Sequence, residues 1–184
     1  MSDFLAILTV MSGVGATLTA LFSWRLGKKA LELQDEHNKM TLKPIPAVAL
    51  ADYEGQLRVK FVNDGAGPFI IKSVQVCRFN EMKNDLISWM PEPPGDLYWS
   101  NFTSFFEKRA LLPNNEIILL DLQGDPDDSD FAEFRDRCRI LLGKMRVILE
   151  YTDLYGKTYP KYLRELDWFE RNKGTRKNKN MEEL

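Results

Sequence analysis

The sequence predicts an α+β chain: an N-terminal transmembrane helix extended into the cytosol, followed by a mostly antiparallel immunoglobulin-like β-sandwich with an inserted helix. Two observations predict this. An uncharged run, FLAILTVMSGVGATLTALFSW, fills positions 4–24, and short β-like runs without regular βα alternation follow Ile45. The predicted domains are 1–43 (transmembrane and juxtamembrane helix), 44–170 (cytosolic β-sandwich) and 171–184 (basic tail).

The run 4–24 has the length of a membrane span, since a bilayer core needs about 20 apolar helical residues. A cleaved signal peptide and a buried core helix are the alternatives. A signal peptide would begin with basic residues, but the residues before the run include Asp3 and no Lys or Arg. Arg25, Lys28 and Lys29 follow the run directly. This flank predicts a single-pass protein of the inner (cytoplasmic) membrane, N-terminus outside and C-terminal domain in the cytosol.

Small side chains share one face of the predicted span. Membrane helices approach closely where small residues recur three and four positions apart, so the face predicts a homo-oligomer, with a passive anchor as the alternative. The residues predicted to pack helices together or to line a pore are Thr9, Ser12, Gly13, Ala16, Thr17 and Ala20.

The helical period continues beyond the span to about residue 41, and Pro44 and Pro46 then end it. The stripe that keeps this period consists of Leu26, Ala30, Leu33, His37 and Met40. One helix over 4–41 is about 57 Å long at 1.5 Å per residue.

Alternating apolar residues predict strands over 47–53 and 56–62, and a Val/Ile-rich strand over 69–79. Between the last two strands, the sequence Asn-Asp-Gly-Ala-Gly-Pro at 63–68 supplies turn residues. This combination predicts a hairpin. Residues 80–110 are rich in aromatic side chains, which either cover the core or form a contact surface.

Further strands are predicted over 116–122, 145–152 and 157–163. A helix is predicted over 129–142, because aspartates precede it and Gly143 follows it. A calcium loop is the alternative for the aspartates. Pro126 and the missing terminal glutamate argue against it.

The composition argues against an enzyme. His37 is the only histidine, so histidine-based triads and multi-histidine metal sites are excluded within one chain. Cys77 and Cys138 have no metal-ligand spacing, and the net charge is −2. We therefore expect no catalytic residues, cofactor, metal or small-molecule substrate.

The end of the chain is basic. A solvated tail, contact with anionic lipid and contact with RNA are the open alternatives. The residues predicted for lipid or RNA contact are Arg171, Lys173, Arg176, Lys177 and Lys179.

The uncharged span, its basic inner flank (Arg25, Lys28, Lys29) and the small cytosolic domain resemble the small membrane accessory proteins encoded beside RNA-targeting effectors in type VI-B CRISPR systems. The resemblance implies a homo-oligomeric inner-membrane pore that depolarises the membrane in antiviral defence. It also implies an RNA-targeting CRISPR effector, or RNA reached indirectly, as a partner. The ribonuclease motif Arg-x-x-x-x-His described for that family is absent, because Glu32 lies five positions before His37.

Two function classes follow for this chain. The first is the homo-oligomeric pore, with the bilayer and further copies of the chain as its partners. The alternative is a membrane-anchored binding or adaptor module whose β-sandwich recruits a cytosolic partner.

Overall fold

The computed structural model describes residues 2–172; the side chains of residues 2–10, 12, 14, 39 and 172 fall outside that description. The chain is α+β and divides into two compact units. The first comprises residues 1–42 and the second begins at Lys43.

The first unit is one helix, α1 (Ser2–Thr41), so the predicted N-terminal helix is confirmed. Every side chain described in α1 is exposed. Among the described residues, no helix combines the length and the apolarity that crossing a membrane requires. The predicted span 4–24 lies partly on side chains outside the described residues.

The second unit, called the body here, contains two antiparallel sheets. Sheet A has the order β1-β2-β7-β5, and sheet B has the order β4-β3-β8-β9 with β6 paired to β3. The strands are β1 (Pro46–Tyr53), β2 (Gln56–Asn63), β3 (Phe69–Arg78), β4 (Glu81–Lys83), β5 (Asn101–Phe102), β6 (Ala110–Leu111), β7 (Glu116–Gln123), β8 (Arg146–Asp153) and β9 (Tyr162–Glu165).

One hydrophobic core serves both sheets. Alternation places Leu57, Val59 and Phe61 of β2 inward with no exposed surface, and β3 and β8 bury their alternate residues in the same way. Helix α2 (Ser129–Leu142) adds Phe131, Phe134 and other apolar residues to this core. Short 3-10 helices occupy Ile87–Trp89 and Asp167–Asn172.

The bounds of α2 confirm the prediction. The Asp128 carboxylate accepts a hydrogen bond from the Asp130 backbone N–H and so caps the first turn, and Gly143 follows the last residue. The aspartates before the helix therefore include its N-cap.

The predicted hairpin across 63–68 is wrong. The structure pairs β2 with β1 and β7, whereas β3 belongs to sheet B. The segment between them crosses from one sheet to the other, because both strands bury an apolar face in the shared core. The predicted strand over 157–163 is shorter and begins later, at Tyr162, but it pairs with β8 as expected.

Asn63 organises the crossing. Its side-chain Nδ2 donates to the carbonyl oxygens of Gly67 and Leu111, and its Oδ1 accepts from the backbone N–H groups of Gly65 and Ile45. A Cβ on Gly65 would lie 2.3 Å from the Ile45 nitrogen. The chain between α1 and β1 is thus held against the crossing, and only glycine fits at position 65 without a shift.

The outer edge of β1 is covered at Val48, whose backbone N–H donates to the Tyr162 hydroxyl of sheet B at 3.1 Å. A polar group from another element therefore occupies a backbone position that an edge strand would otherwise leave open. At the β1–β2 turn, Arg135 of α2 donates to the carbonyl oxygens of Tyr53 and Glu54.

Candidate interaction surface

The aromatic-rich segment divides into two groups. In the first group, Trp99 packs edge-on against Phe134 of α2 with ring centroids 5.6 Å apart, and Phe106 packs against Phe61 at 6.2 Å. Trp89 also lies partly buried against the core. These rings cover the core, which is one of the two predicted roles of the segment.

The second group faces outward. Tyr98, Phe102 and Phe105 are 73%, 46% and 68% exposed. Single exposed apolar side chains are normal, whereas contiguous apolar patches are typical of contact sites. We call these three residues the aromatic edge.

Strand β5 positions the aromatic edge. It is the last strand on its side of sheet A, and it pairs with β7 through Asn101 opposite Asp121 and Phe102 opposite Leu120. The Gln123 backbone N–H donates to the Ser100 hydroxyl at 3.0 Å. The segment is thereby attached along one side, while the other side of β5 is a sheet edge.

A polar network lies beside β5. Asp121 accepts hydrogen bonds from Arg58, Gln56 and Gln123, and its side chain is 3% exposed. Burial acts to raise the pKa of Asp121, but these hydrogen bonds and the Arg58 charge outweigh burial and lower it. The network holds an ionised carboxylate next to the aromatic edge.

A second exposed apolar site comprises the β3–β4 turn and strand β4. Phe79 is 82% exposed and Met82 is 65% exposed. Phe79 has a φ of 54°, a left-handed conformation that is unusual for a bulky side chain. The Arg78 guanidinium lies 5.5 Å from the Phe79 ring centroid.

A charged cluster joins three elements. Asp52 of β1 is within 3.8 Å of both Arg139 of α2 and Arg171 of the 167–172 helix, and the Asp52 side chain is 2% exposed. Arg171 also lies over the Trp168 ring, 3.0 Å from its centroid. We interpret the cluster as an attachment of α2 and the final helix to sheet A.

The helix residues predicted for packing or pore lining lie on α1. Gly13, Ala16, Thr17 and Ala20 are exposed, whereas the side chains of Thr9 and Ser12 lie outside the described residues. The Thr17 hydroxyl donates to the Gly13 carbonyl oxygen at 2.8 Å, and the Thr19 hydroxyl donates to that of Gly15. Both threonine hydroxyl groups therefore have a hydrogen-bond acceptor within the helix and do not need a water molecule as acceptor.

The predicted basic tail is described only at its start. Arg171 belongs to the final 3-10 helix. The other predicted contact residues lie outside the described residues: Lys173, Arg176, Lys177 and Lys179.

The described part of the chain has no cluster suited to binding a metal. Among those residues, no group of three or more His, Cys, Asp or Glu side chains is placed to hold a metal ion. His37 is exposed on α1. Cys138 is fully buried in α2, where desolvation raises the pKa of its thiol to about 12 against the opposing effect of Arg137.

Comparison of the chain with protein-family models and with curated proteins finds no match. The resemblance to type VI-B accessory proteins stays a prediction.

Proposed function

We propose that the protein is a membrane-anchored binding module. In this proposal α1 holds the chain in the inner membrane, and the body recruits a cytosolic protein partner through the aromatic edge. The observation that carries the proposal is the exposure of Tyr98, Phe102 and Phe105 beside sheet-edge strand β5, while neighbouring rings of the same segment are packed on the core.

The chemistry of the aromatic edge suits a protein partner. Aromatic side chains supply a large contact area at a small entropic cost, and tyrosine adds a hydroxyl that can bond at a partly wet boundary.

The strand order supports an immunoglobulin-like sandwich for the body. If β1, β2, β7 and β5 are taken as strands A, B, E and D, then β3, β8 and β9 take the places of C, F and G. The sheets then read ABED and CFG, as in that fold. Such sandwiches commonly serve as binding domains, although fold alone does not assign function.

The membrane anchor is supported by the uncharged run 4–24 and the basic residues that follow it. A reporter fused after Leu184 should behave as cytosolic, and the protein should stay in the membrane fraction after a high-salt wash. A periplasmic reporter signal, or release by salt, would overturn the anchor.

The binding surface is tested in cells by a photo-crosslinking residue placed in turn at Tyr98, Phe102 and Phe105. The control places it at Leu154, which is 61% exposed in the β8–β9 turn. One adduct of the same mass at all three edge positions and not at Leu154 supports the surface. Tyr98→Ser and Phe105→Ser together should then abolish that adduct at Phe102 without lowering the melting temperature. No shared adduct, or equal labelling at Leu154, contradicts it.

The homo-oligomeric pore is the second candidate. The small residues of α1 favour it by their spacing, and a Cβ at Gly13 would meet no atom of the same chain within 4 Å. If the pore forms, Gly13→Leu and Ala16→Leu should prevent depolarisation when the protein is activated, whereas Leu18→Ile should not. Wild-type assembly and depolarisation in both leucine variants would remove this candidate.

A further inference from the structure

Helix α1 carries a seven-residue repeat after the predicted span. Counting with Ala30 as position a, positions a and d from residue 26 onward hold Leu26, Ala30, Leu33, His37 and Met40. We call these five residues the seam. Three of its large side chains, Leu26, Leu33 and Met40, are 68%, 57% and 70% exposed.

The charges of this part of α1 avoid the seam. Between residues 25 and 41 the sequence has seven Lys, Arg, Asp and Glu residues, and all seven occupy positions c, f and g. The opposite arc, formed by positions d, a, e and b, has none. The seven charged residues are Arg25, Glu32 and Lys39 at c, Lys28 and Asp35 at f, and Lys29 and Glu36 at g.

Small side chains also occupy positions a and d of the preceding half, and Gly13, Thr17 and Ala20 lie beside them at positions e and b. Counting back from Ala30, positions a and d hold Ser23, Thr19, Ala16, Ser12 and Thr9. Along one helix face, small residues at positions a and d are thus followed by larger apolar residues at the same positions of the repeat. The apolar part of the repeat covers about two heptads, from Leu26 to Met40. An apolar repeat of 3.5 residues is typical of a helix that supercoils with another helix.

We infer that this face binds the same face of a second copy of the chain, in a parallel, in-register coiled coil that continues from the small-residue half through Met40. The parallel direction rests on the proposed anchoring, since copies inserted in one orientation have parallel helices. The charges permit this arrangement, because Lys29 at g faces the uncharged Gln34 at e of the partner helix, and Glu36 at g faces the uncharged Thr41. No like charges oppose each other across these positions.

His37 has a particular role in the coil. A polar residue at one a position lowers the stability of a coiled coil and fixes its register and orientation. His37→Leu should therefore strengthen association while permitting other registers.

The test uses the full chain in native membranes with Cys77→Ser as background, since Cys138 is buried in α2. Single cysteines replace Leu26, Ala30 or Met40 in the seam, and Glu32 or Asp35 outside it. Oxidation should give disulfide-linked dimers at all three seam positions and at neither outside position. Efficient dimers at only one seam position indicate an antiparallel pair, and equal dimers inside and outside the seam indicate random collision; both overturn the proposal.

Charge substitution gives an independent readout. Leu33→Lys places a charge in the seam and should weaken self-association in mild detergent at least about tenfold, which corresponds to about 1.4 kcal/mol. The matched Glu32→Lys, at an exposed c position, should not weaken it. Equal association of both variants with the wild type would contradict the coil.

The two proposals can fail separately. Seam crosslinks in a protein that salt releases from membranes would retain the coil and remove the anchor. A firmly membrane-bound protein without seam crosslinks would retain the anchor and remove the coil.

Discussion

Arg58 and Asp121 meet across β2 and β7 in a two-bonded ion pair, with Nε to Oδ1 at 3.0 Å and Nη2 to Oδ2 at 2.9 Å. Such forked pairing is stronger than a single contact because both carboxylate oxygens are satisfied. It lies on sheet A one strand away from β5, so the stability of the body and the support of the aromatic edge are connected through it.

Asp121→Asn should lower the free energy of unfolding by about 2 kcal/mol at neutral pH, because Arg58 loses its charged partner. Folding lowers the pKa of Asp121. The wild-type advantage is therefore complete above the unfolded-state value, about 4, and disappears as the pH falls through the lower folded-state value. Urea unfolding of both proteins over a pH series checks this. A difference that persists unchanged in strong acid, or an equal effect of Asp64→Asn at an exposed position, would contradict the prediction.

Asn63→Asp should destabilise the body by about 2–3 kcal/mol. The substitution keeps the acceptor that serves Ile45 and Gly65 but removes the donor that serves Gly67 and Leu111, leaving buried carbonyl oxygens unpaired. Chemical unfolding measures the change. Asn115→Asp, at an exposed position, is the matched control and should change the free energy of unfolding by less than about 0.5 kcal/mol.

Phe79→Gly should give a more stable body than Phe79→Ala, by about 1 kcal/mol. Both variants lose the ring and its contact with Arg78, but only glycine adopts a φ of 54° without strain from a Cβ. Thermal unfolding of the two variants compares them directly. Equal melting temperatures would show that the turn carries no such strain.

The two cysteines should react differently. A thiol-alkylating reagent at about pH 8 should modify Cys77, which is partly exposed, and leave the native Cys138 unmodified, because burial raises the pKa of its thiol to about 12. Mass spectrometry should show one adduct in the folded protein and two after unfolding. Cys77→Ser should remove the adduct from the folded protein; rapid native labelling of that variant would contradict the burial of Cys138.

Local signals predicted α2 well, because the aspartate cap and Gly143 act within one turn of the helix ends. Strand partners were harder. The turn residues at 63–68 indicate a reversal but not whether it stays within one sheet, and β2 pairs with β7, whose first residue is more than fifty positions further along the chain. For the same reason the sequence alone could not pair Arg58 with Asp121.

The aromatic segment shows a different limit. Trp99 and Tyr98 are neighbours of similar apolar character, yet one packs on α2 and the other faces outward. The segment has neither the helical nor the strand period, and its prolines interrupt any regular pattern, so nothing local assigns a direction to each ring.

The covering of the β1 edge limits strand pairing between the bodies of neighbouring chains. A coiled coil at α1 would raise the local concentration of bodies, and an open eight-residue edge would then invite strand-to-strand aggregation. The Tyr162 hydroxyl occupies that edge at Val48. Strand pairing between bodies through β1 is opposed at that point, so the bodies can be held close together while remaining separate folded units.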